Sequence, residues 1–215
     1  MLICVTMKVR SDSFSDGDYL SVQFAFGKQS ADGKIDLSDN ENPHLSWSEL
    51  PAGTKSIAIL CIDSDVPTKP DDVNQEGRVV PADLPRTDFC HWVLVDLDPS
   101  SEVGEGQFSA GVTPKGKDGP EGPEGTRQGL NDYTGWFAGD PEMAGDYYGY
   151  DGPCPPFNDS IVHHYRFAVY ALDVDRAPVE GKFTSADVLR AIDDHVLGQA
   201  SLTAKYTINP DAKEL

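Results

Sequence analysis

Residues 152–173 read GPCPPFNDSIVHHYRFAVYALD, a Pro-rich turn, two adjacent histidines and an apolar run that ends at Asp173. The run HHYRFAVYALD (163–173) is short and nearly continuous in its apolar character, as expected of a strand covered on both faces. Side chains alternate along a strand, so His163, Tyr165, Phe167 and Val169 share one side. His164, Arg166, Ala168 and Tyr170 share the other. The two histidines therefore serve different surfaces.

Two further runs have the same character, SIAILCID (56–63) and FCHWVLVDLD (89–98). Asp63 falls on the face of Ile57, Ile59 and Cys61, and His91 on the face of Phe89, Val93 and Val95. A fourth stretch, YLSVQFAF (19–26), alternates with Leu20, Val22, Phe24 and Phe26 on one side and predicts another strand. Turn-rich segments such as SDVPTKPDD and TPKGKDGPEGPEG separate the runs, with no helices between them, which predicts an antiparallel β fold. If 56–63 runs antiparallel to the other two, Asp63, His91, His163 and Tyr165 converge at one edge of the sheet. Polar groups at the ends of apolar strands are a common way to build a small-ligand pocket.

One helix is predicted, over 184–198. Thr184 precedes Asp187 by three residues in a capping pattern, Val188, Leu189, Ile192 and Val196 form an apolar stripe, and Gly198 supplies a stop. His195 sits near the helix C-terminus, where a partial positive charge is favoured. The Pro-rich segment 67–88 and the Gly/Pro-rich segment 99–135 are long enough to be lids or mobile surface.

The chain of 215 residues is expected to form a single domain, 1–215. Its formal charge of −19 argues against nucleic acid and anionic membrane surfaces as main partners. Asp outnumbers Glu by 26 to 10, an acidic surface that favours solubility. No segment has the apolar length to span a bilayer, and the N-terminus lacks a basic region followed by a sustained apolar one, so a cytoplasmic protein is expected. Cys4, Cys61, Cys90 and Cys154 lie far apart with no CxxC pair, which argues against a disulfide framework or a zinc knuckle.

Two imidazoles, a carboxylate and a phenol can bind a small oxyanion such as phosphate, with Asp63 orienting an imidazole. They can also hold a metal ion, although the HxH or HxxxH spacing is missing. Hydrolysis has less support, because no GxSxG elbow and no Cys paired with a base is found.

The blocks NPHLSWSELPAGTKSIAILCIDSDVP, FCHWVLVDL, GLNDYTGW and GYDGPCPPFND…HHYRFAVYALD occur in this order. Together they resemble the phosphatidylethanolamine-binding protein (PEBP) family, specifically its bacterial and archaeal Raf-kinase-inhibitor-like branch, from about Lys8 to about Tyr206. The resemblance implies a mainly β, antiparallel two-sheet sandwich-like fold with a C-terminal helical segment. It also implies a pocket for phosphate or a phosphorylated head group; with no catalytic motif found, a non-enzymatic binding protein without cofactor or resident metal is expected. Position by position it assigns Asp63 to ligand binding, with Val66, Pro67 and Pro156 as pocket wall. His91, Cys154, Pro155, His163 and Tyr165 complete the ligand-binding set. The alternative is a hydrolase or metal-dependent enzyme using His91, His163 and Asp63.

Here DSDVP stands where the family usually has DPDAP, so Ser64 replaces a proline and Val66 an alanine. An insertion, FAGDPEMAGDYY (137–148), lies where it could cover the pocket mouth. The resemblance implies a cis peptide at Val66–Pro67, more weakly one at Thr87–Asp88, and a homodimer, as is frequent among bacterial relatives. Kinase inhibition belongs to some eukaryotic members, and nothing in this sequence supports it.

Overall fold

The computed structural model describes residues 6–214, so Cys4 lies outside the described residues. Four three-residue strands come first, β1 (Lys8–Arg10), β2 (Gly27–Gln29), β3 (Ile35–Leu37) and β4 (Ser46–Ser48), paired β1 with β4 and β2 with β3. The two long strands β5 (Ser56–Pro67) and β6 (Arg86–Leu97) follow, then short β7 (Gly116–Lys117), β8 (Arg127–Gln128) and β9 (Asp146–Tyr147). A single helical turn, α1 (Tyr133–Trp136), lies between β8 and β9. The chain ends with β10 (His163–Leu172), helix α2 (Ser185–Ile192) and β11 (Val196–Tyr206).

Five strands form the central antiparallel sheet in the order β11-β10-β5-β6-β8. The apolar runs read from sequence are its three middle strands, because only a strand covered on both faces can be apolar at successive positions. One face buries Ile57, Ile59, Cys61, Trp92, Phe167 and Val169 under Phe14, Leu20, Phe24 and Leu45, with Val9, Ile35 and Trp47 of the short ladders packed against them. The opposite face buries Ala58, Leu60, Val93, Val95, Ala168 and Tyr170 under Val179, Phe183 and the α2 residues Val188 and Ile192. The alternation expected for β10 is therefore observed, as is the antiparallel order of β5 against β6 and β10. No helix among the described residues is long and apolar enough to cross a membrane.

Several local expectations are corrected. YLSVQFAF is not a strand: its middle closes into a 3-10 turn (Val22–Phe24), with Phe24 N–H donating to Ser21 O and Ala25 N–H to Val22 O. The turn tucks Leu20, Phe24 and Phe26 inward but leaves Val22 46% exposed, so period two fails at that residue. The helix over 184–198 is also shorter than predicted. It passes through a 3-10 turn at Asp193–His195 and gives way to β11, so Val196 and Gly198 are strand residues, and Leu189 is exposed. Ala200, Leu202, Ala204 and Tyr206 alternate towards one core, Val196 packs on the opposite one across an irregularity in the ladder, and pairing with β10 outweighs helix continuation. His195 Nδ1 instead meets Asp173 Oδ1 at 2.9 Å, closing the corner between β10 and β11.

The strands also shorten the first predicted loop. Val66 and Pro67 stay in the ladder opposite Thr87 and Arg86, leaving 68–85 as the connection. The cis peptide among the described residues is Gly119–Pro120, and neither Val66–Pro67 nor Thr87–Asp88 is cis. The second loop is tied down by Arg127, whose Nε donates to Asp96 Oδ2 at 2.6 Å and whose Nη2 donates to Ala177 O at 2.8 Å.

Helix α2 carries the predicted capping box. Thr184 accepts from the Asp187 N–H, and the Asp187 carboxylate accepts from the Thr184 N–H at 3.0 Å. Replacing Thr184 with Ala should cost about 1 kcal/mol of unfolding free energy, measured by urea titration, with no change in fold. An unchanged midpoint would show that packing of Val188 and Ile192 alone sets the helix start.

Candidate functional site

A cavity of about 290 Å³ opens at the end of the central sheet where β5 finishes and β6 and β10 begin. Every residue that the resemblance placed in the site lines it: Asp63, His91, His163 and Tyr165, the turn Cys154–Pro155–Pro156, and the wall residues Val66 and Pro67. The rest of the wall is mostly aromatic and aliphatic, including Phe26, Ile35, Phe89, Tyr133 and Val73. Trp136, Phe137 and Met143 reach the cavity from α1 and the insertion at 137–148, so the insertion does form part of the wall. Leu37 and Trp136 are 52% and 49% exposed, which places them at the rim.

His163 and Asp63 come together because β10 and β5 run antiparallel with Tyr165 opposite Asp63. His163 is 1% exposed, and its Nδ1–H donates to Asp63 Oδ2 at 2.7 Å. Its Nε2–H donates to Asp159 Oδ2 at 3.0 Å. Asp159 in turn accepts two hydrogen bonds from the Arg86 guanidinium, at 2.6 and 3.1 Å. The result is a buried line of alternating charge, Asp63–His163–Asp159–Arg86.

Burial opposes charge on the imidazole, but the two carboxylates outweigh it and raise the His163 pKa to about 9. Burial likewise opposes ionisation of Asp63 and Asp159, and the adjacent cations reverse that, holding both carboxyls below their usual range. An imidazolium with both N–H groups on carboxylates has no donor left for a ligand. His163 therefore shapes the floor rather than donating to an oxyanion, as its shared face with Tyr165 had suggested. His164 points the other way, as expected, and its Nδ1 meets Asp65 Oδ2 at 2.8 Å with the side chain 40% exposed.

His91 enters the cavity by a different route from the one period two predicts. Cys61 opposes Trp92 and Ile62 opposes Cys90, so His91 is the extra residue of a one-residue bulge in β6. The bulge shifts the alternation: Phe89 and His91 line the cavity, while Val93 and Val95 face the opposite core. The expectation that all four share a face is thus corrected. The ring is wedged edge-on against Tyr165 and Tyr133, with centroids 5.1 and 5.5 Å away, and is tilted against Phe89 at 4.9 Å.

The His91 Nδ1–H donates to Asp151 O at 2.8 Å, which fixes the tautomer and leaves Nε2 on the cavity side. Burial lowers the His91 pKa, only partly offset by Asp63, so the ring is neutral near pH 7. Tyr165 Oη is buried within reach of the Asp63 carboxylate but makes no well-aligned hydrogen bond among the described residues. Burial, reinforced by Asp63, pushes its pKa well up, so it stays a neutral O–H. The Cys154 thiol is pushed up to about 12 by burial and is not a nucleophile at neutral pH.

Sequence reasoning missed Asp159, Arg86, Asp151 and Tyr133. Asp159 stands four residues before His163, yet the chain between them is no helix, and only tertiary folding makes the two adjacent. Asp151 is fully buried and held by Asn40 Nδ2, Asn131 Nδ2 and Lys117 Nζ at 2.8, 2.8 and 3.2 Å. Among the described residues no three His, Cys, Asp or Glu side chains are grouped to hold a metal ion.

This architecture has known relatives. The family model for phosphatidylethanolamine-binding proteins matches residues 10–207, and the chain belongs to that family. The UPF0098 protein YbhB of Escherichia coli K12 is 31% identical over 201 residues, spanning 94% of this chain and 100% of that protein. A UPF0098 protein of Methanothermobacter thermautotrophicus is 34% identical over 170 residues, 78% of this chain and 83% of its own. The crystal structure of Escherichia coli YbcL, described as a new member of the mammalian PEBP family, superimposes with a TM-score of 0.65 at 25% identity, covering 94% and 99% of the two chains.

The ion line predicts a pH-dependent stability. The His163 pKa is raised above an unfolded value of about 6.5, so its contribution is complete below that pH and is lost as pH rises through about 9. The depressed Asp63 and Asp159 contribute above about pH 4 and lose their contribution as pH falls through their folded values. His163→Gln should destabilise by about 3–5 kcal/mol at pH 6, because it strands two buried carboxylates. Urea titrations should show the gap from the wild type narrowing by pH 9.5, whereas a constant gap would mean that the imidazole is neutral throughout.

Proposed function

We propose that the protein is a non-enzymatic binding protein for a small oxyanion, either phosphate or the phosphorylated head group of a larger molecule. The observation that carries this reading is the polar pair left at the cavity floor, the buried Tyr165 O–H, which makes no well-aligned hydrogen bond, and His91 Nε2. A buried polar atom without a partner costs about 1–3 kcal/mol, and a ligand that satisfies it recovers that energy. The apolar walls then take whatever the phosphoryl group is attached to, and the family name is consistent with a head group.

An enzyme built on His91, His163 and Asp63 has less to stand on. Both nitrogens of His163 are already held by carboxylates, so it offers neither a base nor a metal-binding lone pair. A homodimer belongs to the same proposal, and a monomer mass by light scattering at high micromolar concentration would remove it.

Calorimetric titration with inorganic phosphate tests the reading. Tyr165→Phe deletes one hydrogen bond to a charged ligand and should weaken binding by about 1.5–3 kcal/mol, roughly 10- to 150-fold. His164→Ala should change it little, since that ring faces Asp65 and solvent. Equal losses in the two variants, or none in Tyr165→Phe, would place the anion elsewhere.

A further inference from the structure

We propose that the site selects oxyanions that still carry a proton, phosphate above all, over those that carry none, such as sulfate; this rests on the oxyanion reading above. The reason is a count of donors and acceptors at the cavity floor. His163 spends both N–H groups on Asp63 and Asp159. Arg86 spends its terminal N–H groups on Asp159, Asp65 O and Pro81 O. His91 spends its Nδ1–H on Asp151 O. At the floor itself this leaves one strong donor for a ligand, the Tyr165 O–H beside Asp63, and two acceptors, His91 Nε2 and the Asp63 carboxylate; Arg86 Nε is not among the lining groups, the Cys154 S–H is a weak donor, and Asn74 and Trp136 lie at the exposed rim.

The charges at the floor also cancel, with the carboxylates of Asp63 and Asp159 set against the imidazolium of His163 and the guanidinium of Arg86. No surplus positive charge remains to draw in a bare dianion. Inorganic phosphate at neutral pH keeps at least one P–OH, which can donate to His91 Nε2 or Asp63 while another oxygen accepts from Tyr165. Sulfate has only acceptors, and one of its oxygens would lie against a lone pair or a carboxylate. A phosphate monoester has the donor as a monoanion and loses it with its second ionisation, near pH 6.

Protonating His91 would turn Nε2 into a donor, and its surroundings decide when that happens. Asp63 faces it from β5, Phe89 flanks it on β6, and Asp132 and Tyr133 lie at the start of α1. Asp151 holds its other nitrogen, and Tyr165 stacks edge-on from β10 with His163 beyond Asp63. Burial outweighs the carboxylates among these groups, so His91 protonates only below its ordinary range. Selectivity should therefore be strongest at neutral pH and fade in acid.

Calorimetric titration of the full chain with inorganic phosphate, sulfate and methyl phosphate, at constant ionic strength from pH 5 to pH 8, tests this. At pH 7.5 phosphate should bind at least about tenfold more tightly than sulfate, the loss expected for one charge-assisted hydrogen bond. That ratio should shrink towards pH 5, and methyl phosphate should weaken between pH 5.5 and 7.5. His91→Gln, whose amide can donate, should bring the phosphate-to-sulfate ratio towards one. Equal affinity for sulfate and phosphate at pH 7.5 overturns the selectivity and leaves the oxyanion reading standing. Failure of every anion to bind overturns both. If His91→Gln does not fold, the wild-type pH series decides alone, and a ratio independent of pH counts against the proposal.

Discussion

The buried imidazolium of His163 is the constraint on which the site depends. It joins Asp63 at the end of β5 to Asp159 in the turn before β10, and Arg86 at the start of β6 completes the line. Three strands and a loop are thereby held at one point through charge-assisted hydrogen bonds. Desolvating four charges is costly, and a buried ion line need not stabilise more than an apolar core of equal volume. Its value lies in the other direction: removing any member strands a partner, so the floor has one arrangement or none. Asn209 adds to this by donating to the Asp159 carbonyl at 2.7 Å, which ties the C-terminal segment to the same point.

With the ion line closed on itself, the chemistry facing the cavity falls to His91 and Tyr165. A one-residue bulge turns His91 towards the cavity, and the Asp151 carbonyl sets its tautomer. Asp151 is in turn held by Asn40, Asn131 and Lys117. Burial lowers the Lys117 pKa, opposed by Asp151, so even this ammonium is committed inside the protein. The aromatic groups around His91 restrict its ring and exclude water, which strengthens any hydrogen bond made there. Two independent buried polar networks thus meet at one small cavity.

The overall charge of −19 opposes the approach of any anion. At physiological ionic strength that field is screened beyond about 8 Å. Membership of the PEBP family fixes the scaffold and the place of the pocket, but function resides in the particular donors and acceptors presented there. Here Phe137 and Met143 from the insertion add apolar side chains to the cavity wall.

The sequence by itself determined the three central strands and which residues of β5 and β10 share a face, because alternation and apolar continuity are local properties of a chain. It also placed Asp63, His91, His163 and Tyr165 at one sheet end, both by period and by resemblance to the family. It did not reveal the bulge at His91, since an extra residue in one strand shows only against its partner's register. The 3-10 turn inside YLSVQFAF and the early end of α2 escaped for a similar reason: pairing and packing elsewhere decided them, against local period. Which polar groups at the site are engaged, and with what partners, depends on tertiary structure alone. A histidine has two distinct ring nitrogens, and only its neighbours in space determine which of them, if either, is left for a ligand. For His163 those neighbours are two carboxylates, and for His91 a backbone carbonyl on one side and the open cavity on the other.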